Sequence, residues 1–80
     1  MDTRQAIATR LLRLCGEKDI TINALANIAG VPPTTIYSIL NKKSKNPGTI
    51  SIKKICDGLD ISMREFFNDE LFDNLEQEIK

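Results

Sequence analysis

Residues 19–41, DITINALANIAGVPPTTIYSILN, decide how this chain folds. They read as two short helices joined at a Gly-Val step. Ala26 is small where two helices must cross closely, and Gly30 supplies the left-handed residue that ends the first helix. Ile36 and Ile39 are spaced to face inward from the second helix. That leaves Thr34, Thr35, Tyr37, Ser38 and Asn41 turned outward. Pro32 and Pro33 precede it, and proline is tolerated only in a first turn, so the second helix is expected over about 33–41. A row of hydroxyls, a phenol and an amide on one exposed helix face suits hydrogen bonding to base edges in a major groove.

Working outward, the apolar spacing is helical throughout. Ile7, Leu11 and Leu14 stripe a first helix over about 3–17, which Asp2 with Gln5 can cap as a capping box. Thr21 caps the next helix, whose inward residues are expected to be Leu25, Ala26, Ile28 and Ala29. After the polar turn KKSKNPG, a fourth helix is expected over about 50–59 with Ile52, Ile55, Cys56 and Leu59 on one side. Ser62 and Glu65 form a second capping box for a short fifth helix ending in Phe66 and Phe67. In the tail, Leu71, Leu75 and Ile79 stand four apart with Phe72 beside them. No strand pattern interrupts this, so the fold class is all-α.

The chain resembles the Cro/phage-repressor-like (xenobiotic-response-element) helix-turn-helix family of bacterial and phage transcription regulators. The similarity runs from about Arg10 to Phe67. Its pieces are RLLRLCGEKDIT, LANIAGV with TTIYSILN, KSKNPGTISIKKICDGL and ISMREFF, in that order. The resemblance implies a five-helix lambda-repressor-like DNA-binding domain over residues 1–68, with a short acidic helix or tail over 69–80. It implies base reading by Pro33, Thr34, Thr35, Tyr37 and Ser38. Phosphate contact falls to Thr21, Asn23, Asn41, Lys42, Lys43 and Lys45, the lysines taking the place of the family's backbone-gripping loop. Where the family has a phosphate-holding Gln, this chain has Ile22, and Asn23 is the candidate substitute. Cys15 and Leu40 stand where many members pair an arginine with a glutamate, an exchange in which both partners become apolar together.

Composition bounds these readings. With 80 residues, 41% apolar and 28% charged, the chain is one small folded domain rather than a disordered tail. The formal net charge of zero hides a split. Residues 1–56 hold nine cations against three carboxylates, net +6; residues 57–80 hold two cations against eight carboxylates, net −6. A polyanion meets a face rather than a net charge, so the split favours nucleic acid. The N-terminus carries charges inside its apolar pattern and reads as an amphipathic helix, not a leader peptide. No apolar run approaches a membrane span, and the expected location is the cytoplasm. Cys15 and Cys56 lie on the stripes of different helices and read as buried, reduced thiols; a disulfide or a metal site is the sharper alternative.

Enzyme classes fare poorly. There is no histidine, so Ser-His and Cys-His nucleophiles are excluded, and the four glycines are scattered rather than gathered into a phosphate-cradling loop. No metal or cofactor is expected. The expected function is sequence-specific transcriptional regulation, by repression, on double-stranded DNA. The apolar tail residues Leu71, Phe72, Leu75 and Ile79 are expected to pack on Phe66 and Phe67, either within one chain or across a two-fold homodimer, and a homodimer is the expected state. The alternative is a protein-interaction module, such as an antitoxin or an anti-repressor partner, that binds another protein through its acidic tail.

Overall fold

A computed structural model describes residues 1–41 and 46–79. Five helices follow one another: α1 (Thr3–Lys18), α2 (Ile22–Ala29), α3 (Pro33–Leu40), α4 (Thr49–Leu59) and α5 (Met63–Phe67). A single 3-10 turn, Glu70–Phe72, follows them. Among the described residues there is no strand. Residues 42–45, which include Lys42, Lys43 and Lys45, lie outside the described residues.

The helix starts are set by local chemistry. Asp2 accepts from the Gln5 amide while Gln5 accepts from the Asp2 amide, the reciprocal box expected from the sequence. Thr21 accepts from the Ala24 amide at 3.0 Å. Ser62 accepts from the Glu65 amide at 3.0 Å, which makes one half of the second box. α3 begins at Pro33, as its two prolines require, and has no side-chain cap.

Three helix ends share one device. Asp19, Gly30 and Asp60 all take left-handed backbone, with φ of 54°, 69° and 57°. The next amide then reaches back along the helix: Ile20 to the Cys15 carbonyl, Val31 to that of Ala26, and Ile61 to that of Cys56. Each end is therefore an aspartate or glycine followed by a branched aliphatic that tucks against the core.

The core gathers Leu11, Leu14, Leu25, Ala26, Ile36, Ile39, Ile55, Cys56 and Phe66 from all five helices, each nearly or wholly excluded from solvent. Burying a side chain such as Phe66 or Leu11 contributes about 1.5–3 kcal/mol. α2 packs on both α3 and α4. At the second contact a Cβ on Gly58 would stand 3.0 Å from the backbone of Ile28 and Ala29, so glycine is what lets the two helices touch there. Ile28, expected to face inward, is instead 50% exposed. The neighbouring stripe of Leu25, Ala26 and Ala29 already fills the interface, and Gly58 meets the backbone of residue 28 rather than its side chain. Cys15 and Cys56 are both buried and unbonded, and burial pushes both thiols above their ordinary pKa. Cys15 belongs to the core, and Leu40 packs partly buried on its edge.

Candidate nucleic-acid interface

α3 is held by its inner face and free on its outer one. Ile36 and Ile39 are sealed in the core, and their burial fixes the rotation of the helix about its axis. Pro33, Thr34, Tyr37 and Asn41 are exposed as a consequence, with the Tyr37 side 41% open. Residues 33, 37 and 41, and residues 34, 38 and 41, follow helical spacing, so they share one face. Thr35 and Ser38 are half-buried. They line a groove with Pro47, Gly48 and Ser51, where α3 meets the start of α4. The five residues expected to read bases thus divide into three exposed residues and two at the edge of that groove.

The residues expected to touch phosphate take several positions. Thr21 and Asn23 are exposed at the start of α2. The Thr21 oxygen already accepts from Ala24, so its hydroxyl hydrogen is what remains to donate. Ile22 between them is half-buried against the core. Asn41 is exposed at the end of α3, and its amide donates to the Tyr37 carbonyl at 2.8 Å. The lysine cluster at 42, 43 and 45 falls on the undescribed segment.

The arginines of α1 take a role that a charge count does not reveal. Arg4 and Arg10 are buried. Arg4 donates from Nη1 to the Ile39 carbonyl at 2.7 Å, at the C-terminal end of α3. Arg10 donates from Nε to the Phe66 carbonyl at 2.7 Å and from Nη2 to that of Glu65 at 2.9 Å, at the end of α5. A guanidinium suits a helix C-terminus, where the last carbonyls lack partners and the dipole is negative. Arg10 and Arg13 also flank Asp69, at 3.5 and 3.3 Å. Arg4 and Arg10 are therefore engaged inside the fold, and Arg13 pairs with Asp69 at the surface, its side chain 53% exposed. The sequence carries a signal for this: positions 4, 7, 10, 11 and 14 fall on one helical stripe, and two of them are arginine.

On the α5 side, Phe66, Phe67 and Phe72 form an edge-to-face aromatic cluster, with ring centroids 4.8 Å apart for Phe66–Phe67 and 5.0 Å for Phe67–Phe72. Leu71 and Leu75 are half-buried, whereas Ile79 is 90% exposed. The tail forms only its 3-10 turn before running on without helix, and it presents no continuous apolar face within one chain. Asp69 anchors its start. Chiefly the Leu71 amide, joined by the Arg13 and Arg10 guanidiniums, holds the Asp69 carboxyl below the usual carboxylate range.

Residues 10–71 match the sequence profile of the Cro/C1-type HTH DNA-binding domain, and the chain belongs to that family. Its structure is similar to the crystal structure of the prophage Lp1 protein 11, with a TM-score of 0.81 and 29% sequence identity over 94% of this chain and 100% of that one. A search of curated proteins returned no relative. The chain is therefore an all-helical DNA-binding domain of the Cro/C1 type. Among the described residues no helix is long and apolar enough to cross a membrane.

Proposed function

We propose that the chain is a sequence-specific repressor that inserts α3 into the major groove. The observation that carries this reading is the division of labour on α3: Ile36 and Ile39 hold it rigidly, and Pro33, Thr34 and Tyr37 stand free of the fold. Short polar side chains on a helix fixed from behind are what base-edge recognition needs. Thr35 and Ser38 complete the reading set from the edge of the groove. Thr21, Asn23, Asn41, Lys42, Lys43 and Lys45 grip phosphates on either side. A domain of this size acts most simply by occluding a promoter in the cytoplasm.

Two copies would read a two-fold site, with the reading helices roughly 34 Å apart, one turn of duplex. Phe67, exposed beside the half-buried Leu71 and Phe72, supports a pairing surface there. The test is to map which DNA the full chain protects from cleavage, beginning with promoter-proximal sequence, while sedimentation follows its mass. Protection of one short two-fold site by a dimer is expected. Binding of every sequence alike would remove specificity from the proposal, and a monomer with and without DNA would remove the dimer. Capture of a protein partner by a chain that binds no DNA would favour the interaction-module reading instead.

A further inference from the structure

We infer that Arg4 is a positioning residue for base reading: its guanidinium sets where α3 stands along its own axis. This rests on the reading that α3 enters the major groove. Arg4 is 9% exposed, and its Nη1 donates to the Ile39 carbonyl at 2.7 Å. Among the described residues, this is the one hydrogen bond that ties α3 to another helix.

α3 needs such a pin. It is eight residues long and begins at Pro33 with no side-chain cap. Its two sealed residues, Ile36 and Ile39, stand three apart on one stripe. Apolar burial is non-directional, so it settles which face turns inward but only loosely how far the helix slides or tilts. A hydrogen bond weakens as its distance or angle drifts, so it fixes position as well as contact. Arg4 is itself well held, because the capping box of Asp2 and Gln5 closes around it at the start of α1. Recognition groups must stand within about 0.5 Å of their productive place, whereas each residue of helix rises about 1.5 Å. Phosphates attract cations without regard to that register. Losing the pin should therefore blur the choice of sequence and leave general attraction intact. Tyr37 and Ser38, within one turn of Ile39, should feel the loss more than Thr34, which lies over a turn away.

The experiment starts from the parent chain enriching a preferred duplex out of a random-sequence library. That duplex and the unselected library DNA are the two probes. Fluorescence anisotropy gives the affinities of the parent, Arg4→Met and Arg4→Lys at three salt concentrations, at a temperature where circular dichroism shows each folded. Ile61→Ala, which thins the core beyond α4, controls for lost stability alone. Arg4→Met should bind the preferred duplex roughly five- to fiftyfold more weakly, and library DNA within about twofold of the parent, with the salt slope unchanged. Arg4→Lys keeps a charged donor and should recover much of the loss. Ile61→Ala should keep the parent's selectivity. Tyr37→Ala should cost a smaller factor on the preferred duplex in Arg4→Met than in the parent, while Thr34→Ala costs nearly the same in both. If Arg4→Met does not fold, Arg4→Gln carries the same comparison. Equal weakening on both probes with a slope lower by about one unit would make Arg4 a phosphate contact and overturn the positioning role. Undiminished selectivity in Arg4→Met, or an equal loss of selectivity in Ile61→Ala, overturns it as well, and each of these leaves sequence-specific binding in place. A parent chain that enriches no duplex overturns the major-groove reading and takes this inference with it.

Discussion

The guanidinium of Arg4 is bound to the carbonyl oxygen of Ile39, 35 residues away, at 2.7 Å. This one contact joins the first turn of α1 to the last turn of α3. It satisfies a carbonyl that helix geometry leaves without a partner, and it does so with a positive charge at the negative end of the dipole.

Removing that contact should loosen the far end of α3. Arg4→Met keeps an apolar stem and deletes the donor. It is expected to cost about 1.5–3 kcal/mol, the range for hydrogen bonds to charged groups. Urea denaturation gives the loss, and hydrogen exchange should quicken first at Leu40 and Asn41. A variant as stable as the parent would show that solvent replaces the contact at no cost.

Two glycines should respond to alanine with opposite signs. At Gly58 a Cβ would stand 3.0 Å from the backbone of Ile28 and Ala29, so Gly58→Ala must separate α2 from α4 and should cost about 1–3 kcal/mol. At Gly16, inside α1, a Cβ meets nothing within 4 Å, and Gly16→Ala should stabilise by up to about 1 kcal/mol. Thermal melts of the two variants decide the matter, and equal shifts would refute the packing of α2 on α4.

Asp69 should make the fold acid-sensitive. Its folded pKa lies below its unfolded one, chiefly through the Leu71 amide and then through Arg13 and Arg10. A depressed carboxylate contributes stability that is present above the unfolded value, near pH 4, and lost as pH falls through the folded value. Denaturation midpoints should therefore drop below about pH 4, and Asp69→Asn, which can still accept from Leu71, should flatten that drop. An unchanged acid profile would exclude Asp69 as its source.

The two kinds of proposed DNA contact should separate in salt titrations. Lys43→Ala and Lys45→Ala should weaken cognate and random DNA by similar factors and lower the log–log salt slope by about one unit each. Thr34→Ala or Ser38→Ala should cost roughly 1–3 kcal/mol on the cognate site and leave the slope nearly unchanged. Affinities at three salt concentrations suffice. Lysine variants silent on all DNA would remove the phosphate grip.

Features written in a few adjacent residues are legible in the sequence itself. Asp2 with Gln5, Thr21, Ser62, the Pro32–Pro33 start and the Gly30 end each state a helix boundary through bonding options confined to one turn. Asp19 and Asp60 are harder, because an aspartate taking left-handed backbone has the same letter as one on a solvated surface. Arg4 and Arg10 enter a charge count as free cations, since the count ignores spacing, and their partners are carbonyls that a side-chain alphabet does not show. The role of Gly58 depends on a neighbouring helix some thirty residues away in the chain. The four-residue apolar spacing of the tail does not make a helix: with acidic neighbours and few contacts, so short a segment cannot recover the cost of nucleation.

Thr34 and Tyr37 are exposed on the outer face of α3, while Ile36 and Ile39 anchor the helix from its inner one. Replacement of exposed residues of this kind usually changes stability by under about 0.5 kcal/mol. The face proposed to read DNA is thus a rewritable address on a fixed chassis. A library varied at positions 34 and 37 should stay folded almost throughout, so that new operator preferences could be selected without rescuing the scaffold.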